Sequence, residues 1–491
     1  MSEIGQTQAP RTQMHIGGQW VDAGGGATFE STSPATGEVL GVLTEAGAED
    51  ARAAVAAAGR AAERLAGLSM SDRARLCHGV ADAIERRRDE LARLLSLEQG
   101  KPYAEAFDEL GFAGELFRNA GEDVKRLETG IIPSADPRKR ILTIRQPHGV
   151  VAVITPWNYP VGIPSQYLSA SLAVGNAVVW KPAPTTSLVA ARLLECLLEA
   201  GVPEDGFNLV FGGAEVGEEM VSNPGVHAVG FTGSAAVGAA VARQAGAKPL
   251  LLELGGNGPT IILDDADLEL AVEGAAWGAF SNAGQICQSS ERILVDSRVQ
   301  DAVVEGLVRK AGAIRLGHPL DEGTTMGPLN NEGVAAKVDQ HLADAVEKGA
   351  VIVAGGARRA GGFPTRLYYE PHVLDQVPLD SLLNVDETFG PVAPVIGVDD
   401  LDEALAIANS NRFGLACSVY TSNLSRAFRV AERLQCGVVN VNESAAYWDG
   451  RTPFGGYSGK ASGVGRLGGV AVIEAMTQLK SIVMHVGDGA L

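Results

Sequence analysis

The sequence predicts an α/β protein made of two doubly wound parallel-sheet units, linked by a small β segment. Three observations predict it. The apolar segments GVVAVIT (149–155), NAVVWK (176–181), FNLVF (207–211), HAVGF (227–231) and LLLEL (250–254) are continuous rather than alternating, as strands buried on both faces are. Helical stretches separate them, among them 186–200, where Leu188, Val189, Leu193, Leu194, Leu197 and Leu198 form one face. A second run of the same kind covers 255–470, with strands near 260–263, 292–295, 350–354, 416–420 and 437–441. At 491 residues the chain also exceeds the ~100–200 residues that one domain usually holds.

Taken in order, residues 1–48 are rich in Gly, Ser, Thr and Pro and read as an irregular arm over the surface. Helical periodicity begins at Ala48 and runs to Leu65. Ser71 is expected to cap a second helix, whose apolar residues Leu76, Val80, Ile84, Leu91, Leu94 and Leu95 recur every three or four positions until Gly100 and Pro102 stop it. A third helix covers 103–127. The segment KRILTIRQP (139–147) has β character but little core of its own, so it should pair with a distant strand or another subunit; the tail, 473–486, is a candidate partner.

Composition narrows the function. Hydrophobic content of 46% with 20% charged residues is globular, and no apolar stretch reaches the roughly 18 residues that suggest a membrane span. No secretory signal opens the chain, and a cytoplasmic location is expected. A net charge of -19 argues against nucleic acid, which is bound by clustered cations. Arg86, Arg87 and Arg88 lie among Glu85, Asp89 and Glu90 and read as a solvated helix face. The five cysteines are scattered, without C-x-x-C spacing, so neither a disulfide framework nor a metal site is indicated.

Several stretches carry candidate chemistry. Cys287 in SNAGQICQSS sits among small and polar residues that leave a sulfur and a backbone N–H open to a ligand, although a lone cysteine is usually a core filler. Thr232, Gly233 and Ser234 lead from a strand into a helix, a turn that can approach an anionic pyrophosphate or be purely structural. Lys181 ends a strand at the edge where such sheets bind ligands, and there it is either a ligand contact or an exposed lysine. Glu253 ends LLLEL; buried, it would have a raised pKa suited to a general base. Glu387 stands in DETFGPV, and a surface salt bridge would explain either acid taken singly. Asn158 in PWNYP offers an amide donor to an oxyanion, or forms a turn.

Together PWNYP, WKP, FTGSAAVG, LELGG, GQIC, ETFGP and the late PFGG stand in the order found in the aldehyde dehydrogenase superfamily, which the chain resembles over nearly its whole length. The resemblance implies a Rossmann-like cofactor domain (1–124 and 145–253), a catalytic domain (254–471) and an oligomerisation segment (125–144 and 472–491), assembled as a homodimer or homotetramer. It makes Cys287 the nucleophile, Glu253 the base that activates water, and Asn158 with the Cys287 backbone N–H the oxyanion hole. Lys181 and Glu387 would hold cofactor ribose hydroxyls, Gly233 and Ser234 the pyrophosphate, and Phe389 the nicotinamide ribose. Thr155, Pro156, Trp157 and Gly255 would complete the NAD or NADP site. Tyr159, Gln166, Tyr447 and Phe454 would line the substrate pocket, with Trp448 beside them at an apolar entrance. Cysteine suits the role because a free thiol, pKa about 8.5, ionises far more easily than a hydroxyl.

Three departures from the family pattern stand out. Pro184 occupies the position where many NAD-preferring members place a ribose-binding glutamate, so the repulsion that excludes a 2′-phosphate is missing, favouring NADP or dual use. Asn257 replaces lysine in LELGGN. Gln166 stands where members acting on succinate semialdehyde often carry a carboxylate-binding arginine, with Arg451 as a distant substitute. A coenzyme A-acylating enzyme is the first alternative, though such relatives commonly lack the base glutamate. A non-catalytic protein of the same fold is the second.

Overall fold

The computed structural model describes residues 10–356 and 362–487. Five parallel strands form the centre of an eight-stranded sheet, in the order Phe207–Leu209, Ala177–Lys181, Val150–Ile154, Ala228–Gly233 and Leu250–Leu254. Each is almost wholly buried, which explains the unbroken apolar runs. The winding reverses between Val150–Ile154 and Ala228–Gly233, so a crevice opens beyond their carboxyl ends at Thr155 and Gly233.

The amino-terminal segment is not an irregular arm. Met14–Ile16 and Gln19–Val21 form a hairpin whose turn places Gly17 and Gly18 at φ 62° and 85°, and the hairpin extends the large sheet by pairing His15 with Leu209. Thr28–Thr32, Val39–Thr44 and Arg11–Thr12 make a separate three-stranded sheet. Glycines such as Gly17 and Gly18 form turns between these strands, the first three of which are only two or three residues long.

The second helix begins at Met70, one position before the expected cap. Ser69, not Ser71, is extended, accepts from the Asp72 N–H at 3.1 Å and donates to its carboxylate at 2.6 Å. The helix is interrupted at Arg87, so the arginine cluster joins Met70–Arg86 to Arg88–Gln99. Arg87 pairs with Glu90 and Glu195, and Arg88 donates to the Phe107 carbonyl, so two of the three are packed rather than solvated. Gly100, at φ 106°, ends the helix.

The second sheet holds seven strands in the order Val351–Ala354, His372–Asp375, Val392–Val398, Ser290–Asp296, Gly258–Ile262, Ala416–Tyr420 and Val438–Val441, all parallel but the first. His372–Asp375 and Val392–Val398 escape a sequence reading, the latter because Pro394 interrupts it. The strand Gly463–Val464 pairs antiparallel with Leu250–Leu254, so Phe454, Leu467 and Val472 pack into the core of the first sheet although they follow the second in sequence. As expected, the tail complements the isolated segment: Thr477–His485 pairs antiparallel with Lys139–Pro147 from Thr477↔Pro147 to His485↔Lys139, and Ile131–Ile132 adds a third strand. Among the described residues no helix is long and apolar enough to cross a membrane.

Candidate active site

A cavity of ≈ 340 Å³ lies between the carboxyl edge of the first sheet and the amino edge of the second. Pro156, Trp157, Asn158, Gly233, Ser234, Glu253, Gly255, Cys287, Glu387 and Phe389, ten residues singled out in the sequence, all line it.

Cys287 sits between the 3₁₀ turn Ser281–Gly284 and the strand Ser290–Asp296. That turn contains three consecutive left-handed residues, Asn282 (φ 50°), Ala283 (φ 54°) and Gly284 (φ 73°), a conformation that costs Asn and Ala energy and must be held by surroundings. The holding bonds are present. Asn282 Nδ2 donates to the carbonyls of Asn158 and Gln285, both at 3.2 Å, and Gln285 Nε2 donates to the Asn282 carbonyl at 2.8 Å. A Cβ on Gly284 would collide with the Gly390 carbonyl, and one on Gly256 with the Cys287 carbonyl. LELGG therefore needs its second glycine so that the nucleophile loop can approach.

Glu253 is 3% exposed, and its Oε1 has no hydrogen-bond partner among the described residues. Burial drives its pKa up to about 8, against the opposing effect of a hydrogen bond with the Cys287 thiol. The Cys287 thiol ionises less readily than a free one. Burial, then the Glu253 and Glu387 carboxylates, push its pKa well up, so it needs an adjacent acceptor for its proton. Asn158, 3% exposed, donates one amide hydrogen to the Gln285 carbonyl at 3.1 Å, which leaves the second for a ligand.

Glu387 accepts from the Gly256 N–H at 2.9 Å; burial raises its pKa to about 7, against the lowering effect of Lys337. Phe389 is left-handed (φ 62°) and meets Trp157 edge-on at 5.7 Å. Its N–H and that of Thr388 both donate to Glu291 at 2.7 Å. Asn257 reaches the carbonyls of Leu383 and Asp386 (3.3 and 2.5 Å), tying the segment after Glu253 to the loop that carries Glu387. Ser234 caps the helix Ala235–Ala245 by accepting from the Val237 N–H at 3.3 Å. Gly233 abuts the Phe231 ring, and Gly238 lies against Leu254, where it serves packing rather than a ligand.

Lys181, which ends the strand Ala177–Lys181, and Thr155, which follows the neighbouring strand Val150–Ile154, are not among the residues that line the cavity. Lys181 is 8% exposed, burial lowers its pKa to about 8, and among the described residues its ammonium donates only to the Pro182 carbonyl, at 3.3 Å. Thr155 Oγ1 accepts from Trp180 Nε1 at 2.9 Å, a structural use of that hydroxyl. The expected substrate-pocket residues are not gathered in one place. Tyr159 lies close enough to Cys287 to feel its charge, and Gln166 is buried with Nε2 lacking a partner among the described residues. Tyr447 is 48% exposed, whereas Phe454 lies behind the surface, 4.8 Å from Trp448, which in turn meets Phe112. Arg451 is exposed.

Asn331 and Lys337, at the start of the helix Glu332–Glu347, also line the cavity and were not found from sequence. The signal was available in NNEG (330–333), where Asn331 caps the helix by accepting from Val334.

Residues 20–482 match the Aldehyde dehydrogenase family. The chain belongs to this family. A glutarate-semialdehyde dehydrogenase of Pseudomonas aeruginosa is 41% identical over 477 residues, 96% of this aldehyde dehydrogenase and 98% of the relative. The NADP(+) succinate-semialdehyde dehydrogenase GabD of Escherichia coli is 41% identical over 474 residues, 96% and 97% of the two chains. Among solved structures, an E. coli NADP dependent enzyme superposes on this aldehyde dehydrogenase with a TM-score of 0.94 at 40% identity, covering 97% of this chain and 98% of the other.

Proposed function

We propose that this aldehyde dehydrogenase oxidises a short aldehyde, a semialdehyde first among the candidates, to the free acid with NADP or NAD. The observation that carries the reading is the facing of Cys287 and Glu253 across one cavity that also contains Asn158. Glu253, with a pKa of about 8, takes the proton of a thiol whose own pKa is raised, so the thiolate forms as it attacks the aldehyde carbon. The thiohemiacetal oxyanion is held by the free Asn158 amide hydrogen and the Cys287 N–H. The bound nicotinamide supplies a hydride acceptor. Once that proton has passed to solvent, Glu253 polarises water against the Cys287 thioester through Oε1, which has no partner among the described residues. A base in this place favours hydrolysis over transfer to coenzyme A.

The residues fit a dinucleotide. Lys181 and Glu387 offer a donor and an acceptor for ribose hydroxyls, the Ser234-capped helix start suits an anion, and Gly255 keeps the Glu387 carboxylate clear of any Cβ. Phe389 and Trp157 offer ring surface beside it. Pro184 leaves a 2′-phosphate unopposed. Gln166 presents a neutral amide where a guanidinium would bind a carboxylate tail. Reduction of NAD and NADP over a panel of aldehydes, with products identified in the presence and absence of coenzyme A, tests the reading; a thioester product would overturn it.

A homodimer or homotetramer in the cytoplasm is the proposed state of the protein. The three-stranded sheet leaves Ile131, Leu479 and Val483 at 83%, 60% and 60% exposure, an apolar surface that a second copy would cover. Light scattering giving a monomer at micromolar concentration would count against this.

A further inference from the structure

Lys101, in LEQGKPY, and Glu109 form an ion pair with side chains 0% and 1% exposed, Nζ and Oε2 being 2.6 Å apart. Such a pair is weak evidence for stability, because desolvation offsets its attraction. Its remaining bonds show what it fixes. Lys101 Nζ also donates to the Asn158 carbonyl at 2.8 Å and stands 3.9 Å from the centre of the Tyr159 ring. The other Glu109 oxygen accepts from the N–H groups of Val161 and Gly162, both at 2.9 Å. The pair thus grips the backbone of 158–162, the loop that carries Asn158.

The same segment reaches the other side of the cavity. Gln99 Oε1 accepts from the Lys101 N–H at 2.7 Å, while its Nε2 donates to Asn282 Oδ1 at 3.1 Å. Glu105 accepts from the Asn282 N–H at 3.0 Å. Asn282 is the first of the left-handed residues before Cys287, and its amide shares the Asn158 carbonyl with Lys101. One buried cluster, drawn from a helix end and the helix Tyr103–Asp123, therefore holds both loops that supply oxyanion donors.

We infer that the buried Lys101–Glu109 pair is a positioning device for the oxyanion donors, setting the Asn158 amide relative to Cys287 through the Asn158 carbonyl. The inference rests on the proposed role of Asn158. Removing Lys101 alone would strand a buried carboxylate, so the charges are removed together in Lys101→Met/Glu109→Gln, whose glutamine keeps an acceptor for Val161 and Gly162.

The test uses p-nitrophenyl acetate without cofactor: the Cys287 sulfur bonds to the acetyl carbon, the ester C–O bond breaks, and p-nitrophenolate leaves with the electron pair. Phenolate release should slow about tenfold to a hundredfold, the range for small misplacement of reacting groups, with the dissociation constant for NADP unchanged within about twofold. On an Asn158→Ala background the same double substitution should cost nothing further, because a residue acting through Asn158 has nothing left to position. An unchanged release rate, or an equal extra loss on that background, overturns the inference. If Asn158→Ala itself releases phenolate at the wild-type rate, the oxyanion role of Asn158 fails instead. Should the double variant not fold, Glu109→Gln alone, which turns an amide towards the Lys101 ammonium, carries the same comparison with the same two outcomes.

Discussion

Around Cys287, Asn282, Gln285 and Ser289 each donate from the side chain to a backbone carbonyl of the same loop, and Gln288 reaches the Ala446 carbonyl. At the Lys181 edge the ammonium has one long bond to its neighbour, and the hydroxyls of Thr185 and Thr186 have no partner among the described residues. The loop around Cys287 is held by its own bonds; the Lys181 edge keeps polar groups in reserve. Donors that must meet a charge as it develops are best fixed beforehand, since reorganising them during the reaction raises the barrier. Groups that only bind recover the roughly 1–3 kcal/mol of an unsatisfied polar atom when a ligand arrives, so slack there favours binding.

Substitutions on the fixed side should then change rates and leave affinity alone. The largest effect belongs to Cys287→Ala, which should abolish even a single turnover of cofactor reduction in rapid mixing, since no covalent adduct can form. Next comes Glu253→Gln, expected to slow steady-state turnover about 100- to 10,000-fold, the range for a lost general base. An acyl adduct on Cys287 should accumulate and be visible by mass spectrometry. In the unaltered enzyme hydrolysis of that adduct needs the Glu253 carboxylate, so with a folded-state pKa of about 8 it should rise as pH increases through about 8 and fall away below. A well-folded Glu253→Gln enzyme without adduct would remove the assignment. Asn158→Ala should slow the first step about 100- to 1,000-fold with NADP affinity unmoved. The smallest effect lies on the loose side: Pro184→Glu should weaken NADP about tenfold relative to NAD, with kcat unchanged, as measured by parallel titrations. A loss of kcat there would break the comparison.

The centre of the first sheet and most of the second were legible in the sequence because strands buried on both faces read as unbroken apolar runs; Val392–Val398, interrupted by Pro394, was not. The amino-terminal strands were not, since Arg11–Thr12, Met14–Ile16 and Gln19–Val21 are too short to carry periodicity, Thr28–Thr32 is polar and mostly exposed, and register comes from neighbours such as Leu209. In the site, Cys287, Glu253 and Asn158 stand within short distinctive motifs, and the fold gathers them around one cavity. Lys101 and Glu109 gave no comparable signal. One looks like a lysine at a helix end and the other like any helical acid, and only the tertiary fold shows that both are buried and bonded to the 158–162 backbone. The raised pKa of Cys287 was not legible for a similar reason: burial and the two carboxylates beside it come from the tertiary fold.

The pairing of Glu253 with Gly463 has a consequence for biosynthesis. Gly463, at φ 119°, approaches so closely that a Cβ would strike the Leu252 carbonyl, and it gives the strand of the proposed base its outer neighbour. A ribosome releases the first sheet's own strands long before it releases this one. Until then the Leu250–Leu254 edge is open, with Glu253 at its end and unpaired backbone groups along it. The nascent chain must carry that edge open until the residues around Gly463 emerge, so the base gains its final setting only then.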